Sequence, residues 1–148
     1  MSAETINETI NVCKYLGQEK SISTVDGEVV LSDIKPDILS VVRVSNKVCI
    51  SKIEVEEDRI NISGTVNIGV IYIADDENNS QRGVSCELPF NELINFPGVN
   101  SNSIIRVKYS AGNTEYKVTN GRKVSIKVPV LFQVRAYNNC DISIIKGI

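Results

Sequence analysis

Apolar and polar residues alternate over long stretches of this chain, and that alternation limits most strongly what it can fold into. In the most regular run, Val124–Ala136, every second residue is apolar. Successive side chains of a β-strand point to opposite faces, so a period of two predicts a strand with one buried face. Two further runs of this kind are Ile60–Tyr72 and Ile38–Val55. The second changes phase near Ser51, which predicts a β-bulge.

Shorter strands and turns complete this pattern. Asn120-Gly121 is a strong hairpin signal, and only Asn91–Ile94 has the character of a helical turn. Pro129 lacks a ladder donor, which predicts a sheet edge or a bulge at that point. About eight or nine strands with no covering helix predict an all-β fold, an antiparallel β-sandwich formed by residues 1–148 as one domain. The shorter predicted strands are Ile6–Val12, Glu28–Leu31, Val84–Leu88, Ile105–Tyr109, Glu115–Val118 and Ile142–Ile145.

Composition argues against several classes of function. The 148 residues include no histidine, which removes the commonest general base and the commonest metal ligand. No glycine-rich phosphate-binding motif occurs, and the acidic runs lack the offsets of a calcium loop. We therefore expect no enzyme, no cofactor and no metal site. A net charge of −2 gives no footprint for nucleic acid. No apolar stretch approaches the ~20 residues needed to cross a membrane.

The chain has four cysteines, Cys13, Cys49, Cys86 and Cys140. They lie far apart, with no C-x-x-C pair, so a zinc site is not expected. Cys86 shares its phase with apolar neighbours and is predicted to lie inside. Cys13 and Cys49 fall on the opposite phase from their apolar neighbours, and Cys140 follows a turn-like Asn-Asn pair. These three could cross-link copies of the chain in an oxidising setting, or all four could remain reduced thiols.

Two segments are candidate interfaces. Residues 2–11, which include Ile6 and Ile10, alternate in polarity and could add as a strand to another copy or complete their own sheet. Phe90, Ile94 and Phe96 surround two proline turns and could form an exposed apolar patch or cap the core. Lysines and arginines between Arg106 and Lys127 are expected to point outward, where they protect strand edges or meet a weak anionic partner.

Several stretches in order resemble a known family. They are Val29-Val30-Leu31 with Lys35-Pro36-Asp37-Ile38, Gly64-Thr65-Val66 with Ile71-Tyr72-Ile73-Ala74, Ser85 with Leu88-Pro89-Phe90, Ile94 with Phe96-Pro97-Gly98, and the strand from Lys123 to Arg135. Together they resemble the SPOCS domain, the spore-coat structural domain of endospore-forming Firmicutes, over roughly residues 6–145. The resemblance implies a scaffold role, since the family's better known members are spore morphogenetic scaffolds that often end in a peptidoglycan-binding LysM module. We expect no such module here, and a single-domain member is easier to interpret as a repeated subunit.

The resemblance implies a place and a role. We expect synthesis in the mother-cell cytoplasm, because no secretory signal is present, and deposition on the spore surface. The expected role is a self-assembling structural subunit of the coat, the exosporium or a spore appendage filament. Its partners would be other copies of itself, with residues 1–11 as a possible assembly strand. The alternative is an adaptor that binds another spore-coat morphogenetic protein.

Overall fold

The structure is a computed structural model that describes the backbone of residues 5–147 and the side chains of residues 12–139. Within the described backbone, the chain forms seven strands and no helix. The predicted all-β fold is confirmed. The strands are β1 (Thr5–Val30), β2 (Ile38–Glu56), β3 (Arg59–Ala74), β4 (Gln81–Asn95), β5 (Ile104–Ala111), β6 (Glu115–Asn120) and β7 (Lys123–Gly147).

These strands form two antiparallel sheets. Sheet A has the order β1-β7-β5, with β6 continuing the line of β5 along the same side of β7. Sheet B has the order β2-β3-β4. The first strand therefore pairs with the last, and a strand from the C-terminal end of the chain is central in sheet A. All pairings are antiparallel, as expected where no helix covers a parallel sheet.

The core lies between the two central strands, β3 and β7. In β3 every second residue from Ile60 to Ala74 is buried, and in β7 every second residue from Val124 to Ala136 is buried. Phe90 of β4 packs against Phe132 of β7, with ring centroids 5.7 Å apart. Burial of about 25 cal/mol per Å² of apolar surface makes this interleaved layer the main stabilising feature of the fold.

The structure has fewer strands than the eight or nine predicted, because two pairs of predicted strands are continuous. Ile6–Val12 and Glu28–Leu31 are both parts of β1, while Val124–Ala136 and Ile142–Ile145 are both parts of β7. The residues between Val12 and Glu28 are mostly polar. They lie on an edge strand with an exposed face, where polar side chains do not interrupt pairing.

Pro129 does not lie on an edge strand, and that prediction is wrong. β7 is central, and its pairing shows no register shift at Pro129. The carbonyl oxygen of Pro129 accepts a hydrogen bond from the Gly112 amide at 2.7 Å. Because a strand residue directs its N and C=O toward the same neighbour, the missing donor faces the break between β5 and β6. The proline is tolerated at that break, since no ladder donor is required there.

Of three further local predictions, two are confirmed and one is wrong. The bulge near Ser51 is confirmed by a register shift between Ile50 and Lys52, and the hairpin at Asn120-Gly121 joins β6 to β7. The helical turn at Asn91–Ile94 is wrong, because β4 stays paired with β3 as far as Asn95. Long-range pairing and burial there outweigh a short local preference.

Candidate assembly surface

The ends of the chain pair with each other and extend beyond the sandwich. Residues 5–15 of β1 pair with residues 137–147 of β7, whereas β5 begins opposite Tyr137. Along this terminal ribbon, defined as residues 5–15 with 137–147, the described residues supply no third strand. At ~3.3 Å per residue the ribbon is about 33 Å long. It presents open backbone edges at one end of the molecule.

The base of the terminal ribbon is fixed to the sandwich. A register shift between Tyr15 and Gly17 leaves Leu16 as an extra residue, and Leu16 packs against the core. The rings of Tyr15 and Tyr137 lie 5.4 Å apart on the first rung above this bulge. A bulge of this kind bends a strand and re-aims its side chains. Here it lets β1 leave the sandwich while Leu16 closes the end of the core.

A polar network holds the other strand of the ribbon. The Asn138 side chain accepts a hydrogen bond from the Ser103 hydroxyl and donates one to the Gly98 carbonyl oxygen at 3.1 Å. The Gly98 amide in turn donates to the Asp58 carboxylate at 2.8 Å. These contacts join β7, the β4–β5 loop and the β2–β3 turn. The ribbon therefore starts from a rigid end of the sandwich.

The described cysteines occupy different environments and form no disulfide within the described residues. Cys13 is exposed on the ribbon, where its Sγ lies 3.5 Å from Asn139 Oδ1. Cys49 is half-buried on β2. Cys86 is half-buried against the core, and burial raises the pKa of its thiol. The backbone at Cys140 lies in β7 opposite Val12 rather than in the predicted turn, and its side chain lies outside the described residues.

Of the two alternatives for Phe90, Ile94 and Phe96, an exposed patch or a cap on the core, the structure shows the cap. Phe90, Ile94 and Phe96 are 8%, 5% and 2% exposed and belong to the core cluster. They cap the core and form no exposed patch in this structure. The side chains of Ile6 and Ile10 lie outside the described residues. Their backbones pair with Lys146 and Ile142, so the N-terminal strand pairs within its own chain.

The described side chains include no group of three or more acidic, cysteine or histidine residues arranged to hold a metal ion. None of the polar or charged side chains described is fully buried. In the same part of the chain, no helix has the length and apolarity needed to cross a membrane.

Comparison with known proteins identifies the family. The family model described as "SipL, SPOCS domain" matches residues 37–119, more than half of the chain. No curated protein and no solved structure matches the chain. The matched range covers β2 to β5 and all but the last residue of β6, and leaves out both strands of the terminal ribbon. The chain belongs to the SipL SPOCS-domain family, a family of structural and adaptor-type domains, and its role is therefore related to sporulation.

Proposed function

We propose that this protein is a self-assembling structural subunit of the bacterial spore envelope, in the coat, the exosporium or a spore appendage. The observation that carries this proposal is the terminal ribbon. A two-stranded ribbon alone is marginally stable in water, and a third strand supplies the missing stability. Another copy of the chain can supply that strand by pairing with an open ribbon edge.

The open edge of β7 can be specified residue by residue. The Pro129 carbonyl points toward β5 and β6, so alternation directs the backbone groups of Asn139, Asp141, Ser143 and Ile145 to the same side. Opposite these four residues, the described chain supplies no partner strand. Their amides therefore face the side of β7 where no described strand is paired, and the row of four is a template for strand addition between copies.

Intersubunit disulfides would lock such an assembly after lysis of the mother cell. Cys13 carries this part of the proposal, because it is exposed on the ribbon. Its partners would be Cys13, Cys49 or Cys140 of another copy. Spore extracts run on non-reducing and reducing gels test the lock. A ladder that collapses to monomer on reduction supports it, and monomer in both lanes contradicts it.

Electron microscopy and light scattering of the purified chain test assembly itself. We expect ordered polymers for the parent, and we expect Ser143→Pro to shorten or abolish them by removing one edge donor. Ser143→Ala keeps that amide and is the matched control. A parent that remains monomeric at high concentration would contradict the proposal. Capture of one spore-coat protein in equal amounts, without self-association, would favour an adaptor.

A further inference from the structure

Four cations lie close together on the outer face of sheet A. Arg135 of β7 is directly opposite Arg106 of β5. On the next outward rung, Gln133 is flanked by Lys20 of β1 and Lys108 of β5. All four cationic side chains are exposed, because alternate residues of β7 are buried on the inner side. We call Lys20, Arg106, Lys108 and Arg135 the cationic face.

The cationic face has no internal counterion. The ion pairs among the described side chains use Lys52, Arg59 and Arg122. The other members of these two rungs, Gln18 and Gln133, are neutral and hydrogen-bond to each other at 2.7 Å. Arg135 Nε donates to Gln18 Oε1 at 3.2 Å, on the β1 side, and this neutral partner leaves its charge uncompensated. Like charges directly opposite each other are unfavourable in a sheet, and the register places Arg106 opposite Arg135. A bound anion would offset that repulsion.

The surroundings of the cationic face favour a protein partner over a small ion. Ile22 and Leu131 form the next outward rung, with exposed fractions of 66% and 41%. A depression of about 420 Å³ joins this apolar rung to Lys20 and Lys108. Cations beside exposed apolar side chains can contact a folded loop through both charge and apolar area.

The same chain carries a complementary segment. Asp75, Asp76 and Glu77 follow β3 directly, and we call them the acidic loop. Asp75 and Glu77 are exposed. The Ser80 hydroxyl and amide donate to Asp76 and hold the pKa of its carboxyl below the ordinary value, so it stays ionised at neutral pH.

In the β2–β3 turn two of the three carboxylates are engaged within the described chain, whereas in the acidic loop only Asp76 is, through the Asn78 amide and Ser80. In the turn, Glu56 pairs with Arg59 at 2.6 Å and Asp58 accepts the Gly98 amide at 2.8 Å. The acidic loop also lies at the opposite end of the molecule from the terminal ribbon, since the Asp75 amide bonds the Asp37 carbonyl oxygen beside the β6–β7 turn. It is therefore free to reach another copy.

We propose that the cationic face binds the acidic loop of a second copy of this chain. The inference rests on the proposed self-assembly and assigns it a lateral contact in addition to the ribbon. Successive residues on one face of a strand lie about 7 Å apart, so the four cations cover an area that Asp75 and Glu77, the two exposed carboxylates of the acidic loop, can contact together. Because face and loop are different surfaces, the contact is heterologous and can repeat from copy to copy.

Charge reversal tests the contact. One variant combines Arg106→Glu with Arg135→Glu, and the other combines Asp75→Lys with Glu77→Lys. We expect each alone to associate about tenfold more weakly than the parent in light scattering at low salt, and an equimolar mixture to recover association. Lys117→Glu with Lys127→Glu is the matched control, with the same charge change on the same sheet outside the cationic face. Thermal unfolding verifies that each variant is folded.

Other results would contradict the lateral contact, and one of them would also contradict the proposed self-assembly. If both variants assemble like the parent, or if mixing them restores nothing, the lateral contact is wrong and the proposed self-assembly stands. If the control weakens association as much as the Arg106 and Arg135 variant, general charge rather than this contact is responsible. If the parent remains monomeric at low salt, both the contact and the proposed function fail.

Discussion

Gly64 is the position at which a single atom matters most to this fold. It lies buried in β3, where it pairs with Ile50 of the neighbouring strand β2 beside the bulge. A Cβ at Gly64 would lie 2.1 Å from the Cys49 carbonyl oxygen and 2.9 Å from Phe90 Cζ. The first of these neighbours is backbone within a paired strand, so it cannot move aside without breaking the ladder. Glycine is therefore required by packing and not by a turn.

We predict that Gly64→Ala lowers the free energy of unfolding by about 2 to 3 kcal/mol, the usual cost of overpacking a core. Urea denaturation followed by circular dichroism measures it. Gly83→Ala is the matched control, because a Cβ there meets its nearest atom, the Val70 carbonyl oxygen, at 3.9 Å. The control should stay within about 0.5 kcal/mol of the parent. Equal losses in both variants would contradict the packing argument.

Cysteine reactivity is the second prediction at this scale. Cys13 is exposed, whereas burial raises the pKa of Cys86 above its ordinary value of 9.0. Only the thiolate reacts, so a raised pKa leaves less reactive Cys86 at any pH below it. Iodoacetamide labelling at pH 8, followed by peptide mass spectrometry, should modify Cys13 first and Cys86 later. Raising the pH should increase the rate at Cys86. Faster labelling of Cys86 than of Cys13 would contradict the burial described here.

At the scale of elements, the most informative contact joins two turns distant in sequence. Arg122, beside the β6–β7 turn, donates to the carbonyl oxygens of Leu31, Ser32 and Lys35. Its Nη1 also lies 2.7 Å from the Asp37 carboxylate. One planar guanidinium thus satisfies the carbonyls of the β1–β2 loop, which has no ladder partner of its own. Sheet A and sheet B are tied together at this end.

We predict that Arg122→Ala lowers the free energy of unfolding by about 1 to 2 kcal/mol, because the partly buried carbonyls of Leu31 and Lys35 lose this donor and the ion pair with Asp37 is lost. Arg122→Lys should recover only part of that loss, since an ammonium cannot reproduce the planar fork. The exposed Arg43 has no hydrogen bond or ion pair among the described side chains, so Arg43→Ala is the control. Thermal or urea unfolding compares the three variants. Full recovery by lysine would show that charge alone accounts for the effect.

The whole molecule is organised around a strand from the C-terminal end of the chain. β7 pairs with β1, β5 and β6, and it supplies every second residue from Val124 to Ala136 to the core. Pairing of Thr5 with Gly147 brings together positions at opposite ends of the sequence. Non-local pairing of this kind is expected to make folding slow, on the order of milliseconds to seconds.

Truncation tests this organisation. We predict that residues 1–121, which retain the whole matched family range but lack β7, do not fold. The fragment loses six large buried side chains and Ala136. At about 1.5 to 3 kcal/mol for each large one, the loss is comparable to or greater than the whole stability of a typical domain. Residues 12–139 keep the entire buried cluster and should unfold cooperatively. Circular dichroism and amide proton dispersion distinguish the two. A folded 1–121 fragment would contradict the central role of β7.

The strands around the core could be predicted because burial on one face leaves a period of two in the sequence. Ile60–Tyr72 and Val124–Ala136 were predicted on that basis, and so was the bulge near Ser51. The prediction failed at Pro129, because a sequence does not show which strands are neighbours or where β5 ends and β6 begins. It failed at Asn91–Ile94 because long-range pairing with β3 outweighs local preference.

Less of the candidate surfaces than of the fold could be predicted from the sequence. The phase of the alternation suggested surface positions for both Cys13 and Cys49, and in the structure Cys13 is exposed whereas Cys49 is half-buried. The burial of Phe90, Ile94 and Phe96 depends on contact with the opposite sheet, so the sequence left both alternatives open. Arg106 and Arg135 are 29 positions apart in the sequence, and only the strand register places them opposite each other.

Alternation, turn chemistry and composition alone determined that this chain is an all-β protein with one apolar face per main strand, because those properties are local or simply counted. Only the tertiary structure decided which strands pair, that the two ends of the chain form a ribbon, and that four cations meet on one face. Those features depend on register between distant segments. Register is set by the combined burial of many side chains at once, which no single stretch of sequence encodes.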